Sequence, residues 1–522
     1  MPSGDRTGHY NRQVSTAESS DVSPVARATA LFGVEALAQA HRRASARHHI
    51  PSIVLMERAG VGAAAHIMAR YPTGAATVVC GAGNNGGDGY VVARILADAG
   101  WDVQIAAPRG VRPQTADATT MATIAHSIGL KARTLTPAML EGDRLIVDAL
   151  LGIGSRGAPR EPVASTIAMM NHATGPIVAI DVPSGIDADT GVVAGAAVVA
   201  EMTVTFHGDK IGLHVEPARA HAGEIVVQDI GIPRAVRSRA AGWLLGEHAA
   251  PAPPKGDSAN KYTAGAVLVI AGSPGMTGAG ALTARATLRC GGGLTVAAVP
   301  SQVQSLFAEQ VVEVMATPVP DHDGVFGIAS LDAVLAQARR VAAIAIGPGI
   351  GRDPRTSAFV RQVIDQTDLP CVVDADGLWH LGARPGWLKR RNAPIVITPH
   401  SGEAARLLDC DRTQVDAQRL ASARSLAKLA GGVAILKGPG AIIADTTGVV
   451  CIDAIGTSAL ATAGSGDVLT GIVASMLAKG MDPLTAAATA VRVHSRAGVL
   501  AGHGDGTLAG DLVEHLPEAI SE

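Results

Sequence analysis

The first half of the chain alternates short apolar runs with loops that contain glycine. The apolar runs occupy residues 77–80, 102–105, 145–148, 177–181 and 202–206. Strands that are buried on both faces have continuous apolar sequences, because helices cover the sheet on each side. Apolar residues at helical spacing fill 31–46, 53–69 and 90–99. This alternation predicts an α/β fold with a Rossmann-like doubly wound sheet.

A second series of apolar runs predicts a second α/β domain. Its runs lie at 267–270, 294–297, 343–346, 371–374, 395–397 and 433–436. Between the two series, the proline-rich stretch 249–254 is typical of a semi-rigid linker. Because the two halves share no motif, we expect a fusion of different domains and not a duplication. The predicted organisation is a disordered tail at 1–25, an N-terminal domain at 26–245, a linker at 246–258 and a C-terminal domain at 259–522.

The composition argues against several classes of protein. The formal net charge is −3 at pH 7, so nothing favours a nucleic-acid partner or an anionic membrane surface. No apolar run reaches the length of a membrane span, and the polar first residues do not form a signal peptide. The five cysteines are far apart, which favours reduced, buried thiols. We therefore expect a cytoplasmic protein and, since small α/β domains often associate, a homo-oligomer.

The loop at 81–89 carries an unusual chemical signal. Its sequence, Gly-Ala-Gly-Asn-Asn-Gly-Gly-Asp-Gly, follows a predicted strand and opens a predicted helix. Glycines at such a position let backbone amides approach a diphosphate closely. The polar side chains of Asn84, Asn85 and Asp88 distinguish this loop from an ordinary dinucleotide-binding fingerprint.

Two further strands end in loops that carry acids, Asp148 after one strand and Asp181 after the other. The carboxyl ends of parallel strands meet at one edge of a sheet, so these loops should converge on the loop at 81–89. Asn85, Asp148 and Ser184 would then offer only oxygen ligands, which suit a hard cation and not a transition metal. A single strand-end aspartate is more often a helix cap, but three such loops together favour a site.

These motifs resemble those of the hydrated nicotinamide-nucleotide epimerases, in order and spacing, over residues 30–235. The resemblance implies a K⁺ ion at Asn85, Asp148 and Ser184. It also implies that Asp181 is the catalytic acid/base that helps a ring hydroxyl to leave and water to return. The implied substrate-binding residues are Asn84, Asn85, Gly86, Gly87, Asp88, Gly152, Ile153, Gly154, Ser155, Arg156, Gly157, Ala158 and Asp181. The segment 206–213 also resembles the family, and Lys210 is its residue expected to touch the site.

In the second half, the sequence Thr-Ala-Gly-Ser-Gly-Asp at 462–467 leads into a helical segment. Glycine turns and a helix N-terminus present amide groups to a phosphate, and Asp467 could take a proton from a hydroxyl opposite. An N-capping aspartate after a glycine turn is the simpler explanation of the same residues. Comparable loops lie at 272–279, 347–351, 374–377, 398–403 and 437–441.

Together these loops resemble the ribokinase-like superfamily and, within it, the ADP-dependent dehydratases of hydrated NAD(P)H, over residues 255–515. The resemblance implies a ribokinase-like α/β fold for the C-terminal domain. It also implies a reaction in which ADP, accompanied by Mg²⁺, phosphorylates the ring hydroxyl of the S hydrate, and phosphate then departs. The implied substrate-binding residues are Ala279, Gly351, His400 and the catalytic base Asp467. The implied nucleotide-binding residues are Lys437, Gly438, Pro439, Gly440, Ala441 and Gly466.

The whole chain is therefore expected to be a bifunctional repair enzyme for the hydrates NADHX and NADPHX. The N-terminal epimerase would interconvert the R and S hydrates, and the dehydratase would restore NAD(P)H from the S hydrate, releasing AMP and phosphate. The alternative is a ribokinase-like kinase for a vitamin precursor or sugar, with a non-catalytic nucleotide-binding N-terminal module. Two residues depart from the dehydratase pattern, Thr457 where asparagine is expected and Ala459 where glycine is common.

Overall fold

The computed structural model describes residues 23–236 and 238–521. Within these residues the chain forms two β-sheets, each with an apolar core on both of its faces. Residues 1–22 of the predicted tail lie outside the described residues. Val25, at the end of that predicted tail, is fully buried in the core of the second half.

The strands of the described chain follow the apolar runs of the sequence. In chain order they are β1 (Thr29–Phe32), β2 (Ala75–Cys80), β3 (Asp102–Ala107), β4 (Arg133–Thr134), β5 (Leu145–Ala149), β6 (Ile177–Ile180), β7 (Met202–Phe206), β8 (Glu224–Gln228), β9 (Ala240–Leu245), β10 (Ala266–Ile270), β11 (Leu294–Pro300), β12 (Met315–Val319), β13 (Ala343–Ile346), β14 (Cys371–Val373), β15 (Ile395–Ile397), β16 (Val433–Leu436), β17 (Ile442–Ala444) and β18 (Val450–Asp453).

The α-helices of the same residues alternate with these strands. They are α1 (Val34–His48), α2 (Ser52–Arg70), α3 (Asn84–Asp98), α4 (Ala116–Ser127), α5 (Val163–Asn171), α6 (Arg219–Ala222), α7 (Thr277–Arg289), α8 (Gln304–Gln310), α9 (Leu331–Ala338), α10 (Pro354–Gln366), α11 (Asp376–Leu381), α12 (Ser401–Leu408), α13 (Arg412–Ala417), α14 (Arg419–Ala430), α15 (Ser465–Ala478), α16 (Pro483–Ala501) and α17 (Ala509–Ser521).

The smaller sheet of the described chain has seven parallel strands in the order β4-β3-β2-β5-β6-β7-β8. The chain builds outward from β2 through β3 and β4, and then returns to the other side of β2 with β5. The loops after β2 and β5 therefore leave in opposite directions and open a crevice between them. This is the doubly wound arrangement that the sequence predicts.

The larger sheet has eleven strands among the described residues, in the order β1-β9-β18-β17-β16-β15-β14-β13-β10-β11-β12. From β16 to β12 all neighbours are parallel, whereas β16, β17 and β18 are joined antiparallel. The result is the mixed, ribokinase-like α/β sheet expected of the second half. The predicted α/β class of both halves is confirmed.

Two strands from the first half of the sequence belong to the larger sheet. Strand β9 lies beside β18, with Trp243 opposite Cys451, and β1 pairs antiparallel with β9. Residues 31 and 32, which helical spacing assigned to a helix, therefore end a strand, and α1 begins only after Gly33. Leu31 is fully buried in the second core, so tertiary packing decides its conformation.

The proline-rich stretch after β9 is partly packed against the second core. Ala249 and Ala250 are buried there, with 1% and 0% exposure. The predicted domain boundaries stay a prediction, but the two halves are joined by strand pairing as well as by the chain. No helix within the described residues is both long enough and apolar enough to cross a membrane.

Candidate active sites

A cavity of about 1200 Å³ opens over the crevice between β2 and β5. The predicted site residues in its wall are Asn84, Asn85, Asp88, Gly152, Ile153, Gly154, Ser155, Asp181 and Lys210. The predicted substrate-binding residues outside this wall are Gly86, Gly87, Arg156, Gly157 and Ala158, and the predicted cation ligands outside it are Asp148 and Ser184. The loops after β2, β5 and β6 thus meet in one place, as strand order requires.

Two glycines outside the wall have a packing reason to be glycine. A Cβ on Gly86 would collide with the carbonyl oxygen of Gly81, and a Cβ on Gly87 would lie 2.6 Å from Sδ of Met56. These positions let α3 begin directly against β2 and α2. Arg156 is engaged elsewhere, since its guanidinium donates to the carboxylates of Asp187 and Asp189.

Asp181 lies at the centre of the cavity wall and is held in an unusual conformation. Its backbone φ of 69° is rare for a residue other than glycine and marks a position that its surroundings impose. Oδ1 accepts a 2.7 Å hydrogen bond from Nζ of Lys210, and Oδ2 accepts one of 3.4 Å from the amide of Ile153. Lys210 also donates to the carbonyl oxygen of Phe206 and is almost completely buried. The expected contact of Lys210 is therefore an ion pair with Asp181.

Asp88 is a second buried carboxyl group in this wall. Burial raises its pKa well above the ordinary value, and the nearby charge of Asp181 adds to this effect. A raised pKa favours the protonated form of a carboxyl group, which can donate a hydrogen bond. The cavity wall therefore presents two carboxyl groups in different surroundings, that of Asp181 paired with Lys210 and that of Asp88 buried.

The three predicted cation ligands lie together around the peptide of Leu151. Asp148 accepts hydrogen bonds from the hydroxyl and the amide of Ser184, at 2.7 and 2.8 Å. Ser184 Oγ in turn accepts from the amide of Leu151, and Asn85 Nδ2 donates to the carbonyl oxygen of Leu151. Burial raises the pKa of Asp148 to about 6. Oδ1 of Asn85 is buried and has no hydrogen-bond partner in the structure.

Sequence reasoning missed two histidines beside Asp181. His41, on α1, lines the cavity, and its ring lies 6.1 Å from that of His207 in an edge-to-face arrangement. Burial lowers the pKa of both, that of His207 to about 4, so both are neutral at pH 7. The helical pattern around His41 contained no signal for this position, because only the tertiary fold brings α1 to the cavity.

The second site lies at the carboxyl edge of the larger sheet, where α15 begins. Gly464 has a φ of 89° and is the N-cap residue of α15, so the turn that precedes this helix ends at Gly464. Asp467 lies in the first turn of this helix. Burial raises its pKa to about 7, and the charge of Asp374 acts in the same direction. Asp467 is thus poised to accept a proton near neutral pH.

Lys437 connects three elements of this site. Its Nζ donates to Oδ1 of Asp374 at 2.6 Å and lies 3.9 Å from Oε2 of Glu403. Thr470, on α15, donates to the other oxygen of Asp374 at 2.7 Å. Burial alone would lower the pKa of Lys437, but these two carboxylates outweigh burial and raise it. A Cβ on Gly466 would lie only 3.1 Å from Nζ, so the ammonium group lies against the start of α15.

His400 caps the N-terminus of helix α12, in addition to its predicted contact with the substrate. Its Nδ1 accepts hydrogen bonds from the amides of Gly402 and Glu403, and Glu403 accepts one from the amide of His400. This reciprocal pair caps the N-terminus of α12. Because Nδ1 is an acceptor, the neutral ring carries its proton on Nε2. Burial lowers the pKa of His400, which favours this neutral ring. Burial also raises the pKa of Glu403 to about 7.

Ala279 and Gly351 lie together on the other side of this edge. The loop at 347–351 passes so close to α7 that a Cβ on Gly349 would lie 3.1 Å from Cβ of Ala279. Gly351 has a φ of 79°, and its amide donates to Oδ2 of Asp376 at 3.3 Å. The carbonyl oxygen of Gly351 lies 2.7 Å from Nε2 of His380, within hydrogen-bond distance.

The predicted nucleotide loop at 437–441 is packed between two arginines. A Cβ on Gly438 would lie 3.0 Å from Nη2 of Arg419, and one on Gly440 would lie 2.8 Å from Nη1 of Arg219. Both glycines have positive φ, 131° and 57°. Arg219 comes from the first half of the sequence, so that half contacts the loop directly.

The two departures from the family pattern lie in a well-supported turn. The hydroxyl of Thr457 accepts a 3.4 Å hydrogen bond from the amide of Ala459, and thereby caps the short 3₁₀ turn that follows. Just before it, Asp453 accepts from the amides of Ile455 and Gly456. Threonine thus replaces one local hydrogen bond that an asparagine side chain could make.

The fold and these two sites define a two-part α/β enzyme. A family model described as "NAD(P)H-hydrate dehydratase" matches residues 267–521, and one described as "YjeF-related protein N-terminus" matches residues 52–212. The bifunctional NAD(P)H-hydrate repair enzyme Nnr of Moorella thermoacetica is 39% identical over 512 residues, covering 93% of this chain and 95% of that protein. The enzyme of the same name from Escherichia coli K12 is 33% identical over 485 residues, covering 90% and 89%.

Among solved structures, an ADP/ATP-dependent NAD(P)H-hydrate dehydratase from Bacillus subtilis, co-crystallised with ATP and Mg²⁺, is 28% identical. It covers 52% of this chain and 94% of its own, with a TM-score of 0.45. From the full-length relatives, the chain belongs to the family of bifunctional NAD(P)H-hydrate repair enzymes. The predicted family and the bifunctional epimerase and dehydratase activities are confirmed. The alternative of a kinase with a non-catalytic N-terminal module is set aside.

Proposed function

We propose that the two sites act in sequence on hydrated NAD(P)H, the first turning the R hydrate into the S hydrate and the second dehydrating the S hydrate. The observation that carries this proposal is the presence of two separate acid/base sites in one chain. One is the pair of Asp181 and Lys210 in the cavity of the smaller sheet. The other is Asp467 at the N-terminus of α15, beside Lys437.

In the first site, Asp181 and Asp88 divide the proton transfers. Loss of the ring hydroxyl needs a proton donor, and return of water to the other face needs a proton acceptor. Asp88, whose pKa burial raises, supplies the proton to the departing hydroxyl. Asp181, held by Lys210 and the amide of Ile153, accepts the proton from the returning water. Between loss of the hydroxyl and return of water, the neighbouring ring nitrogen donates electrons to the ring carbon and stabilises its positive charge.

Asn85, Asp148 and Ser184 are the residues that would hold K⁺. The fit rests on the buried Oδ1 of Asn85, an oxygen without a hydrogen-bond partner that a cation would satisfy. All three residues contribute oxygen, the ligand that hard cations prefer. When bound, K⁺ supplies positive charge beside the substrate loop. The same residues already fix the peptide of Leu151, and through it the loop that carries Gly152.

In the second site, Asp467 removes the proton from the ring hydroxyl while that oxygen takes the phosphoryl group of the nucleotide. The amides at the start of α15 stabilise the charge on the phosphoryl group in transfer. The C–O bond to the new phosphate then breaks, a neighbouring C–H proton is lost, and the dihydronicotinamide double bond forms. Lys437, fixed by Asp374, provides a cation at the same helix start.

Glu403 and Asp374 are the residues that would assist Mg²⁺. The raised pKa of Glu403, about 7, shows a buried carboxyl group that a nearby cation would ionise. Within the described residues, no cluster of three or more histidine, cysteine or acidic side chains could hold a metal. The ion would therefore depend on nucleotide phosphates for most of its ligands, as Mg²⁺ commonly does. When bound, it neutralises charge on those phosphates.

The nucleotide, the oligomeric state and the compartment complete the proposal. We propose ADP as the phosphoryl donor on the resemblance of the C-terminal motifs, although the name of the B. subtilis relative includes both ADP and ATP. We propose a cytoplasmic homo-oligomer, because small α/β domains often associate and all five cysteines are present as thiols.

Product analysis tests this function directly. Purified protein is incubated with the S hydrate of NADH, Mg²⁺ and either ADP or ATP, and all products are separated by chromatography. With ADP, the proposal expects NADH, AMP and phosphate in equal amounts. Accumulation of a phosphorylated hydrate without NADH would contradict it, and faster turnover with ATP would overturn the choice of donor.

A further inference from the structure

A cluster of two arginines and a tryptophan lies at the rim of the second site. The guanidinium carbon of Arg406 is 3.2 Å from the ring centroid of Trp379, and that of Arg352 is 4.7 Å from it. The three side chains come from different elements: the loop after β13, helix α11 and helix α12. Trp379 is 40% exposed, which is unusual for so large an aromatic side chain.

The cluster adjoins two predicted substrate contacts. Arg352 follows Gly351 in the chain, and Asp376 holds both residues, accepting from Nε of Arg352 at 2.7 Å and from the amide of Gly351 at 3.3 Å. Arg406 lies on α12, whose N-terminus is capped by His400. Burial lowers the pKa of His400, and the charge of Arg352 adds to this effect, so the two side chains are within electrostatic reach.

The cluster also carries more positive charge than its carboxylates neutralise. Arg352 is paired with Asp376, but in the part of the chain that the structure describes Arg406 has no ion pair. Nη1 of Arg406 is buried without a hydrogen-bond partner. Burial lowers the pKa of Arg406, and the neighbouring charge of Arg352 lowers it further. Two neighbouring guanidinium charges repel each other, and a bound anion would offset that repulsion.

We propose that Arg352, Arg406 and Trp379 form a subsite that binds a phosphate group of the dinucleotide hydrate during dehydration. Guanidinium groups suit phosphate because they present paired donors in a plane. The proposal rests on the assignment of Gly351 and His400 as substrate contacts. The phosphate belongs either to the diphosphate of both hydrates or to the 2′-phosphate found only in NADPHX.

Steady-state kinetics with Arg352→Gln and Arg406→Gln test the subsite. KM is measured for the S forms of NADHX and NADPHX, and for ADP, together with kcat. We expect the KM for the hydrate to rise about tenfold in each variant, because one charge-assisted hydrogen bond to the substrate is lost. The value of kcat and the KM for ADP should stay unchanged. A rise for both hydrates identifies the diphosphate, and a rise for NADPHX alone identifies the 2′-phosphate. Arg406→Lys, which keeps the charge, should recover part of the affinity.

Arg384→Gln is the matched control, because Arg384 is an exposed arginine that pairs with Asp409 at the other end of α12. It should leave every KM unchanged, and thermal unfolding should be the same for all variants. Unchanged KM values for both hydrates in active Arg352→Gln and Arg406→Gln proteins would overturn the subsite while leaving the dehydratase assignment intact. A rise confined to ADP would also overturn it. Absence of dehydration in the wild type would instead contradict the proposed function.

Discussion

Asp467, the proposed base of dehydration, shows how the surroundings of a residue change its pKa. It lies at a helix N-terminus and near Lys437, both of which favour the ionised form, yet burial and Asp374 together raise its pKa to about 7. A carboxylate of this kind accepts a proton far more readily than one with an ordinary pKa near 4.

The raised pKa of Asp467 predicts the pH dependence of dehydration. The base must be ionised, so kcat/KM for the S hydrate should be constant above about pH 7 and fall about tenfold for each pH unit below it. Asp467→Asn should lower the rate by a factor on the order of 10² to 10⁴ and remove this limb. The profile is measured from the restored NADH absorbance. A flat wild-type profile from pH 5 to 7 would show that another group is the base.

Lys210 predicts a selective loss of epimerisation. In Lys210→Met the buried carboxylate of Asp181 loses the ammonium group that pairs with Oδ1 and holds the side chain in place. We expect the epimerisation rate to fall on the order of 10²-fold, with dehydration of the S hydrate unchanged. Lys131→Met, at an exposed position, is the control and should change neither rate. Equal loss of both activities in Lys210→Met would indicate a structural defect instead.

The residues found from sequence lie at the ends of strands or in the loops that follow them. Asn85, Asp148 and Ser184 meet in the structure because strand ends share an edge, a rule that needs no tertiary information. Which of these strand-end residues pair with each other could not be predicted in the same way. Asp374 and Lys437 are 63 residues apart, and their ion pair depends on the order of strands in the sheet.

At the level of elements, the start of α15 depends on a glycine. Helix propensity alone would favour alanine at Gly466. Here a Cβ would lie 3.1 Å from Nζ of Lys437 and 3.5 Å from a carboxylate oxygen of Asp374, so it would displace the ammonium group. Glycine at this position leaves room for the side chain of Lys437 beside the start of the helix.

Gly466→Ala should therefore lower dehydratase kcat at least about tenfold while leaving the melting temperature nearly unchanged or slightly higher. Gly510→Ala is a matched control, because it is also the second residue of a helix and a Cβ there meets open space. The control should keep full activity. Both are measured by NADH formation and by thermal unfolding, and full activity in Gly466→Ala would contradict the placement of Lys437.

Sequence periodicity located the central elements better than the edge ones. All the predicted strands of both halves are present, because apolar residues dominate most of these short runs. The strands at the edges or in the antiparallel part, such as β1, β8 and β17, were not predicted. The last two residues of β1, Leu31 and Phe32, were assigned to a helix because they also fit helical spacing, and only pairing with β9 decides between the two.

At the level of the whole molecule, strands from the first half of the sequence form part of the sheet of the second half. Strands β1 and β9 extend the larger sheet, and Arg219 of the first half lies against the proposed nucleotide loop of the second. The epimerase half therefore contributes to the stability of the dehydratase half. The sequence contained no indication of this, because sheet pairing across a predicted domain boundary is a property of the folded chain alone.

Leu31→Ala tests this coupling. Leu31 is fully buried in the second core, so its truncation should destabilise the dehydratase half by about 2–5 kcal/mol. Heat inactivation of the dehydratase should occur at a lower temperature than in the wild type. Leu306→Ala, where the side chain is 52% exposed, should behave like the wild type. An unchanged inactivation temperature in Leu31→Ala would mean that β1 adds little to the sheet.

The most direct test of two sites acting in sequence is one time course with a mixture of R and S hydrates of NADH, ADP and Mg²⁺, followed by near-ultraviolet absorbance. The wild type should restore all of the NADH in a single smooth phase. Asp181→Ala should restore the S fraction at the wild-type rate and the remainder only at the rate of spontaneous epimerisation. Asp467→Asn should restore almost none. Complete, single-phase recovery in Asp181→Ala would contradict the account.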